Sequence, residues 1–466
     1  MGDTSEELEG YFEKLFSLLE PIIEEIEQSK NIRIVSHYDA DGISSASIMF
    51  YALNKLGKNV HLSIVNQIKD RVIERLNNEE HDLLMFTDLG SGYLDELNDL
   101  KTKKLAIVDH HHIKGEYDGD FSHANPHLIG IDGDEISGSG LSYLLARSLD
   151  ENNKNLAYIA VIGAIGDIQE EKWVMKGLNK YILDEAIDSG MIKKKKGIRL
   201  FGRVNRPVYK ALQYSTDPYI PGISGNQSAC IQFLSDLDID VKNAAGKWKS
   251  LKDLEESEKK KLASAIIKER VRSGHEDAEK IFGDIYTFEK FPEEFSDVRE
   301  FSTSLNACGR MGQPSIGVLA CLGNQEIQEK MRGVQRGYRS LLGKYIKWVK
   351  SDSGNVRSED NAYYVVAKDN IHENFVGTVI SIVQNSFFED KPIVGFAYTE
   401  DGEVKISGRV PDRYEKDLNL KEIFEKATDK VGGRSGGHKK AAGAFIPKDK
   451  IEDFINVCEE EFQSGE

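Results

Sequence analysis

The chain has 466 residues, 78 acidic and 61 basic side chains, a formal net charge of −17 and 39% hydrophobic residues, which excludes a globally disordered protein and suggests roughly three domains. Its apolar runs are far shorter than the ~20 residues of a membrane span, and its acidic start lacks the basic and apolar regions of a signal peptide, so we expect no membrane association and a cytoplasmic location. The four cysteines form no Cys-x-x-Cys pair, which argues against a disulfide scaffold or a structural zinc site.

The N-terminal 200 residues predict a helix followed by a parallel α/β sheet. Residues 1–30 are acidic and place leucine and aromatic side chains at helical spacing, which predicts an amphipathic helix. Short apolar runs then alternate with helical stretches, the pattern of a parallel sheet. The predicted strands are Ile32–Val35, Leu83–Phe86 and Leu105–Val108, and the predicted helices are Ser44–Leu56 and Ser139–Leu149.

Two basic segments follow. Residues 189–216 hold eight bases and no acid, and residues 330–350 hold seven bases and no acid along a helix with an apolar stripe. Between them, the clearest predicted element is a charged helix over Ser257–Arg272. Such segments are often only solvated faces, but the second lies between two candidate phosphate-binding regions, which favours a surface that follows a nucleic-acid strand.

The last hundred residues predict a second, smaller α/β domain. A polar linker over Ser351–Asn361 precedes it. Its strands are predicted over Tyr363–Ala367, Ile393–Ala397 and Val404–Arg409, and its helix over Val376–Phe387. A glycine-rich turn over Gly432–Gly443 then offers amides that can form an anion-binding nest, with an ordinary surface loop as the alternative.

Acidic and imidazole side chains follow the three predicted strands of the first sheet. They are His37, Asp39 and Asp41 after the first strand, Asp88 after the second, and Asp109, His110 and His111 after the third; Asp167 follows an apolar run over 157–166. Ligands of open α/β sheets bind outside the carboxyl ends of the strands, so we expect these groups to converge. A lone Asp-x-Asp is usually a turn or a helix cap, but four such motifs in order favour a site.

Crowded carboxylates repel one another unless cations neutralise them. Oxygen ligands with one imidazole suit Mn²⁺ or Mg²⁺ better than zinc. Two such ions would polarise a phosphoryl oxygen and activate water at neutral pH. His37 is open to three interpretations: a metal contact, a phosphate contact or a strand cap. His112 is expected to begin the next loop.

These motifs together resemble the DHH phosphoesterase superfamily. The strand-end acids and the Asp109-His110-His111 run resemble its N-terminal domain, and Ser407-Gly408-Arg409 with the glycine-rich segment resembles its C-terminal DHHA1 domain. Residues 305–310 (Leu-Asn-Ala-Cys-Gly-Arg) resemble the motif that precedes the linking helix. Within the superfamily the chain is similar to the archaeal RecJ-like nucleases, also called GINS-associated nucleases, which are kin to a eukaryotic replicative helicase cofactor.

The resemblance implies an α/β fold with five segments. These are an N-terminal acidic helix (1–30), a parallel-sheet DHH catalytic domain (31–200), an inserted α/β module (201–300), the end of the DHH domain with a basic linking helix (301–350), and a smaller DHHA1 α/β domain (361–466).

The resemblance also implies roles for individual residues. Two divalent cations, Mn²⁺ or Mg²⁺, would be held by Asp39, Asp41, Asp88, His110 and Asp167, with Asp88 bridging. RecJ-type enzymes often carry a histidine four residues before the first aspartate, where this chain has Val35, and His37 can take its place. The expected catalytic residues are Asp109, which orients the histidine pair, His111 and Arg310. The expected substrate-binding residues are Asn306, Ser407, Arg409, Gly437, His438 and Lys439.

The implied function is a metal-dependent, single-strand-specific exonuclease acting in DNA replication or repair. The first expectation is 5′→3′ degradation of DNA, with RNA and the opposite polarity left open. The GINS complex of the replicative helicase is the expected protein partner. The alternatives are a non-catalytic scaffold subunit of that helicase, and a phosphodiesterase for short oligonucleotides or cyclic dinucleotides.

Overall fold

The structure, a computed structural model, describes residues 5–275, 277–351, 353–388, 390–411, 414, 416 and 418–464. The chain divides into two compact units, Met1–Gln335 and Arg336–Glu466. No helix in the described part of the chain has the length and apolar character needed to cross a bilayer.

The first unit is built on a five-stranded sheet with strand order β2-β1-β3-β4-β5, in which every neighbouring pair is parallel. This confirms the predicted parallel sheet. Its elements are α1 (Ser5–Gln28), β1 (Asn31–His37), α2 (Ala40–Lys55), β2 (Asn59–Val65), α3 (Asp70–Asn77), β3 (Leu83–Thr87), α4 (Leu94–Leu97), β4 (Leu105–Val108) and β5 (Ser122–Ala124). The sequence did not predict the two edge strands, because β2 alternates apolar with polar residues and β5 is three residues long.

Helix α1 packs into the core of the first unit. Leu15, Leu19, Ile22 and Ile26 are fully buried in the same hydrophobic cluster as the sheet. The predicted amphipathic helix is therefore confirmed, and its apolar stripe completes a face of this unit.

Three further helices follow the sheet, of which two pack against α2 and the third packs against the second of them. The elements after β5 are α5 (Gly138–Leu149), α6 (Ala157–Gly166), β6 (Glu170–Glu171), β7 (Val174–Met175) and α7 (Gly177–Asp188). Helix α6 is the longest apolar run of the sequence, and nine of its ten residues are buried. It is apolar on all sides because α2, α5, α7 and a later helix surround it.

The inserted segment is a group of helices closed by a two-stranded antiparallel ribbon. The elements are β8 (Ile192–Ile198), α8 (Val208–Gln213), α9 (Gln227–Asp236), α10 (Glu256–Arg272) and β9 (Phe282–Phe288). It has its own hydrophobic cluster, which includes Leu212, Leu234 and Leu262. The chain continues with α11 (Val298–Arg310), α12 (Pro314–Cys321) and α13 (Gln325–Ser351), the predicted basic helix.

The second unit carries a six-stranded mixed sheet with order β10-β11-β12-β13-β15-β14. Its elements are β10 (Arg357–Ser358), β11 (Tyr363–Lys368), α14 (Glu373–Phe387), β12 (Ile393–Tyr398), β13 (Glu403–Arg409), α15 (Leu420–Val431), β14 (Arg434–His438), β15 (Ala441–Pro447) and α16 (Ile451–Ser464). The predicted strand–helix–strand–strand order is confirmed.

Two local predictions in this unit were wrong. The glycine-rich turn over 432–443 is an antiparallel hairpin, because the amides and carbonyls of β14 pair with β15, as at Gly436 and Gly443, instead of forming an anion nest. The predicted linker over 351–361 contains the short strand β10, which pairs with β11. Asp352, within that predicted linker, lies outside the described residues.

Candidate metal centre

Three carboxylates, each from a different segment of the first unit, lie around the imidazole of His110. His110 Nε2 lies 3.4 Å from Asp88 Oδ1, 3.5 Å from Asp167 Oδ2 and 3.8 Å from Asp41 Oδ2. Asp88 and His110 follow β3 and β4, whereas Asp41 is in the first turn of α2 and Asp167 ends α6. The convergence expected from the ends of parallel strands is therefore present in the structure.

A second group of donors shares Asp88 with the first. His37 Nδ1 lies 3.0 Å from Asp39 Oδ2 and 3.7 Å from Asp88 Oδ2. Asp88 thus directs Oδ1 towards His110 and Oδ2 towards His37. Three sets of three donor atoms lie within 4.8 Å of one another: Asp88, His110 and His111; His37, Asp39 and Asp88; and Asp41, His110 and Asp167.

The donor atoms of this site fit a metal. Both carboxylate oxygens of Asp88, His110 Nε2 and His37 Nδ1 are buried, and none has a hydrogen-bond partner among the described residues. Buried polar atoms without partners are rare, and bound divalent cations would satisfy all four. Carboxylate oxygens with imidazole nitrogens suit Mn²⁺ or Mg²⁺.

Asp88 adopts an unusual backbone conformation. Its φ is +54°, in the left-handed region that aspartate and asparagine tolerate better than most residues. Such strained residues cluster at functional sites. The turn lets the chain leave β3 while the buried carboxylate stays at the centre of the cluster.

Backbone amides hold Asp41 in place. Gly138 N donates to Asp41 Oδ2 at 2.7 Å and Ser139 N donates to Oδ1 at 3.1 Å. These are the first amides of α5, whose N-cap is Ser137, so the positive end of a helix faces the carboxylate. Sequence reasoning missed this contact; the only available signal was the Ser-Gly-Ser-Gly run at the start of a predicted helix.

Gly163 on α6 leaves room for the carboxylate of Asp41 to lie against this helix. A Cβ at this position would overlap Asp41 Oδ1 and Ser139 Oγ. We expect Gly163→Ala to weaken Mn²⁺ binding by at least tenfold and to lower the free energy of unfolding by about 1–3 kcal/mol, because Asp41 must move. Calorimetric titration and denaturant unfolding measure the two effects.

Gly343→Ala is the matched control, since a Cβ there meets no atom within 4 Å on the exposed face of α13. It should bind Mn²⁺ like the wild type and be slightly more stable. Equal metal affinities in the wild type and Gly163→Ala would contradict the placement of Asp41.

A hydrogen-bond network fixes the orientation of His110. His110 Nδ1 donates to the carbonyl of Gly133 at 2.9 Å, which leaves Nε2 facing the carboxylates. Gln169 Nε2 donates to Asp167 Oδ2 at 2.9 Å, and Asn179 Nδ2 donates to Gln169 Oε1. Sequence reasoning missed Gln169 and Asn179, because a single amide side chain carries no motif.

Asp109 holds His110 and His111 in place through hydrogen bonds. It is fully buried and accepts hydrogen bonds from the amides of Ser91, His110 and His111, and from His111 Nδ1 at 2.7 Å. His111 Nε2 is left facing away from Asp109 on a half-exposed ring. His112 begins the next loop and stacks on His127.

Burial and neighbouring charges shift the pKa values of several groups in the cluster. Burial and the carboxylates of Asp88 and Asp167 raise the pKa of Asp41 well above its usual value. Burial, with Asp88 and Asp39, raises the pKa of Asp167 to about 6. Burial opposes protonation of His111, but Asp109 outweighs it and raises its pKa to about 9. The metal-free site therefore retains protons near neutral pH.

Because a bound metal must displace these protons, we expect the metal affinity to depend on pH. Lowering the pH from 8 to 5.5 should weaken Mn²⁺ binding about tenfold per pH unit for each proton that the metal displaces, because groups with raised pKa values hold their protons more firmly. Titration calorimetry in buffers of different ionisation enthalpy counts the released protons. An affinity that stays constant over this range would be inconsistent with these ligands.

Helix α11 brings Asn306 to the acidic cluster. Asn306 Oδ1 accepts a hydrogen bond from the amide of Ala40, the residue between Asp39 and Asp41, at 3.0 Å. Arg310 is the last residue of α11 and is partly exposed. The structure thus places Asn306 beside the first aspartate pair.

The candidate substrate-binding residues of the second unit lie at one end of its sheet. Arg409 Nε donates to Ser381 Oγ on α14, and its Nη1 lies 3.2 Å from Ser407 Oγ. Ala441 pairs with Arg409 on one side and with His438 on the other. Gly437 precedes His438 in β14, and Lys439 follows it in the hairpin turn.

Comparison with known proteins identifies the family. Family models described as the DHH family N-terminal domain, the DHH-CID domain and the DHHA1 domain match residues 31–166, 200–281 and 360–464. The chain is 32% identical over 438 residues to the uncharacterized protein MJ0831 of Methanocaldococcus jannaschii, covering 92% of each chain. The chain belongs to the DHH family. The DHH-CID model falls on the inserted helices between β8 and β9.

Other relatives of this DHH protein include nucleases. It is 28% identical over 177 residues to the single-stranded-DNA-specific exonuclease RecJ of Thermus thermophilus, covering 35% of this chain and 26% of that protein. The crystal structure of that RecJ with Mn²⁺ has a TM-score of 0.58 at 18% identity, over 97% of this chain and 55% of RecJ. CDC45 from Entamoeba histolytica has a TM-score of 0.61 at 13% identity, over 97% and 99%. The two structural likenesses concern the fold.

Proposed function

We propose that this protein is a metal-dependent exonuclease of the RecJ type that degrades single strands, with 5′→3′ degradation of DNA as the first expectation and RNA as the alternative substrate. The observation that carries the proposal is the division of Asp88 between two groups of ligands, one with His110 and one with His37. A carboxylate shared in this way suits a pair of divalent cations. The RecJ relatives, which match part of the chain, support the choice of substrate.

In this proposal the side chains of the first unit hold the cations and the phosphate. The ligands are Asp39, Asp41, Asp88, His110 and Asp167, with His37 as a further donor. When bound, the cations would polarise the phosphate and lower the pKa of an attacking water. Asp109 fixes the ring of His111 by accepting a hydrogen bond from its Nδ1, which leaves Nε2 available to a phosphate oxygen. Asn306 and Arg310 hold the phosphate beside them.

A digestion series tests the proposal. Single-stranded 30-mers of DNA and RNA, labelled at the 5′ or the 3′ end, are incubated with Mn²⁺, Mg²⁺ or chelator. The proposal expects metal-dependent release of mononucleotides from one end of the single strand and no digestion of the duplex. A preference for dinucleotides over the 30-mer would instead favour a short-oligonucleotide phosphodiesterase.

A non-catalytic role as a helicase scaffold is the second candidate, because the fold resembles that of CDC45. The retained carboxylates and His110 argue against it, since a scaffold has no need of five clustered ligands, three of which are buried. The GINS complex remains our proposed partner in either case. Purified GINS should be retained by the immobilised protein at physiological salt if the partnership is correct.

Substitution of Arg409 tests whether the second unit binds the nucleic-acid strand. We expect Arg409→Ala to raise the KM for a 30-mer about 10–100-fold with little change in kcat, because a charge-assisted phosphate contact contributes about 1.5–3 kcal/mol to binding. Steady-state digestion of a labelled strand separates the two constants.

Arg357→Ala is the matched control, since Arg357 is an exposed arginine on β10 that pairs with Glu359 and Glu452. It should leave both constants unchanged. If the two variants behave alike, Arg409 has no specific part in strand binding.

A further inference from the structure

A cavity of about 390 Å³ opens beside the metal centre, within the first unit. It lies where the end of α6, the face of α11 and the start of the inserted segment meet. Its lining includes Ile165 and Ile168 on either side of Asp167, and Asn306, which is bonded to the amide between Asp39 and Asp41. The cavity is therefore lined by residues that adjoin the metal ligands.

Aromatic side chains form the outer wall of this cavity. Tyr214 is 55% exposed, and Phe201 lies near it. The guanidinium of Arg206 lies 4.9 Å from the ring centre of Phe201 and 5.7 Å from that of Tyr214. Trp173 lines the opposite part, with the guanidinium of Arg299 4.2 Å from its ring centre. Flat, partly exposed rings of this kind are the usual platforms for stacking nucleobases.

The inner wall offers polar atoms that are not satisfied. Ser302 Oγ and Arg299 Nε are buried, and neither has a hydrogen-bond partner among the described residues. Such atoms are rare unless a ligand or water satisfies them. A planar group with hydrogen-bonding edges would meet this need.

The charged residues of the lining are neutralised locally. Arg299 pairs with Glu170, Lys172 with Asp277 and Asp217 with Arg199. The cavity therefore has no net charge to attract a phosphate. An uncharged aromatic ring is the chemistry that fits it.

The backbone around the cavity is strained. Ile168, Lys172 and Trp173 have φ values of +61°, +50° and +65°. Left-handed conformations are unfavourable for such residues and are retained mainly at functional sites. Ile168 also leaves its side chain 83% exposed at the rim, which adds apolar surface there.

We propose that this cavity receives the base of the nucleotide at the end of the strand, next to the reacting phosphate, by stacking on Tyr214. The inference rests on the proposed nuclease function and deepens it. It makes the inserted segment part of the substrate site and makes Tyr214 a substrate-binding residue. Ser302 and Arg299 would face the edge of the base.

The test combines strands that lack one base with a protein variant that lacks the ring of Tyr214. The full chain and its Tyr214→Ala variant degrade 30-mers with an intact end, with an abasic residue at the reacting end, or with an abasic residue in the middle. We expect the terminal abasic residue to lower the kcat/KM of the wild type about 5–100-fold, in keeping with the strength of base stacking on an aromatic ring. Tyr214→Ala should lower kcat/KM similarly on the intact strand and lose most of its sensitivity to the terminal abasic residue.

Trp248→Ala is the matched control. Trp248 is also a partly exposed aromatic residue of the inserted segment with a cation, Lys242, over its ring, but it does not line the cavity. This variant should keep the full response of the wild type to the terminal abasic residue.

A binding measurement in the presence of chelator tests base stacking without degradation of the strand. A strand with 2-aminopurine at the reacting end should lose fluorescence on binding to the wild type, and lose much less on binding to Tyr214→Ala. If the wild type degrades strands but the terminal abasic residue has equal effects on both proteins, the base cavity is wrong and the nuclease proposal stands. If the wild type binds Mn²⁺ but degrades no strand, the nuclease proposal fails and the base cavity fails with it.

Discussion

Asp88→Asn should reduce single-strand degradation by at least about 1000-fold while leaving the fold intact. Asp88 is the residue that both groups of ligands share, so losing its charge affects both cations. Asparagine keeps the shape of the side chain and tolerates the left-handed backbone at this position, whose φ is +54°. Initial rates on a labelled 30-mer in Mn²⁺ measure the loss.

Asp99→Asn controls for the change of one acid to an amide, because Asp99 is exposed and lies between α4 and the start of β4, not after the end of a strand. It should digest strands at the wild-type rate. In chelator, Asp88→Asn should unfold at the same temperature as the wild type or higher, since one buried carboxylate has been removed from a crowded cluster. Degradation by Asp88→Asn at near the wild-type rate would show that the chemistry occurs elsewhere.

Removing metal should abolish activity and destabilise the protein. Mn²⁺ at one hundred times its dissociation constant should raise the free energy of unfolding by about 2.7 kcal/mol relative to chelator. In chelator, the pKa of Asp167 is about 6 against 3.8 for an ordinary aspartate. The native state therefore holds more protons than the unfolded state between these values, and the stability contributed by this group is lost as pH rises through about 6.

Denaturant unfolding at pH 5 and pH 8, with and without Mn²⁺, measures both effects. The stabilisation by Mn²⁺ should be larger at pH 8, where fewer protons compete for the ligands. Asp88→Asn should gain much less from Mn²⁺ than the wild type at both pH values. A wild-type protein whose stability does not respond to Mn²⁺ or Mg²⁺ at pH 8 would exclude the proposed centre.

The arrangement of the acids could be predicted from the sequence because it follows from topology. Parallel strands end at one edge of the sheet, so Asp39, Asp88 and His110 had to lie near each other once β1, β3 and β4 were recognised. Buried apolar runs identify such strands well. The same reasoning could not find β2, which lies at the edge and carries a mixed pattern.

The parts that sequence did not predict depend on contacts between distant segments. The amides of Gly138 and Ser139 reach Asp41 only because α5 begins against α2. The hairpin of residues 434–447 was mistaken for a turn because glycines signal flexibility, whereas pairing with β13 makes β15 an interior strand.

The crowding of acids at the metal centre also bears on how this architecture evolves. Without cations, the proximity of Asp41 to Asp88 and Asp167 works against folding at neutral pH, as the raised pKa of Asp41 indicates. A descendant that exchanged one of these carboxylates for a neutral side chain would lose the proposed activity and become more stable in the same step. Under the proposed nuclease function, exchanging a ligand would therefore favour stability, and selection for hydrolysis would be needed to keep the ligand set complete.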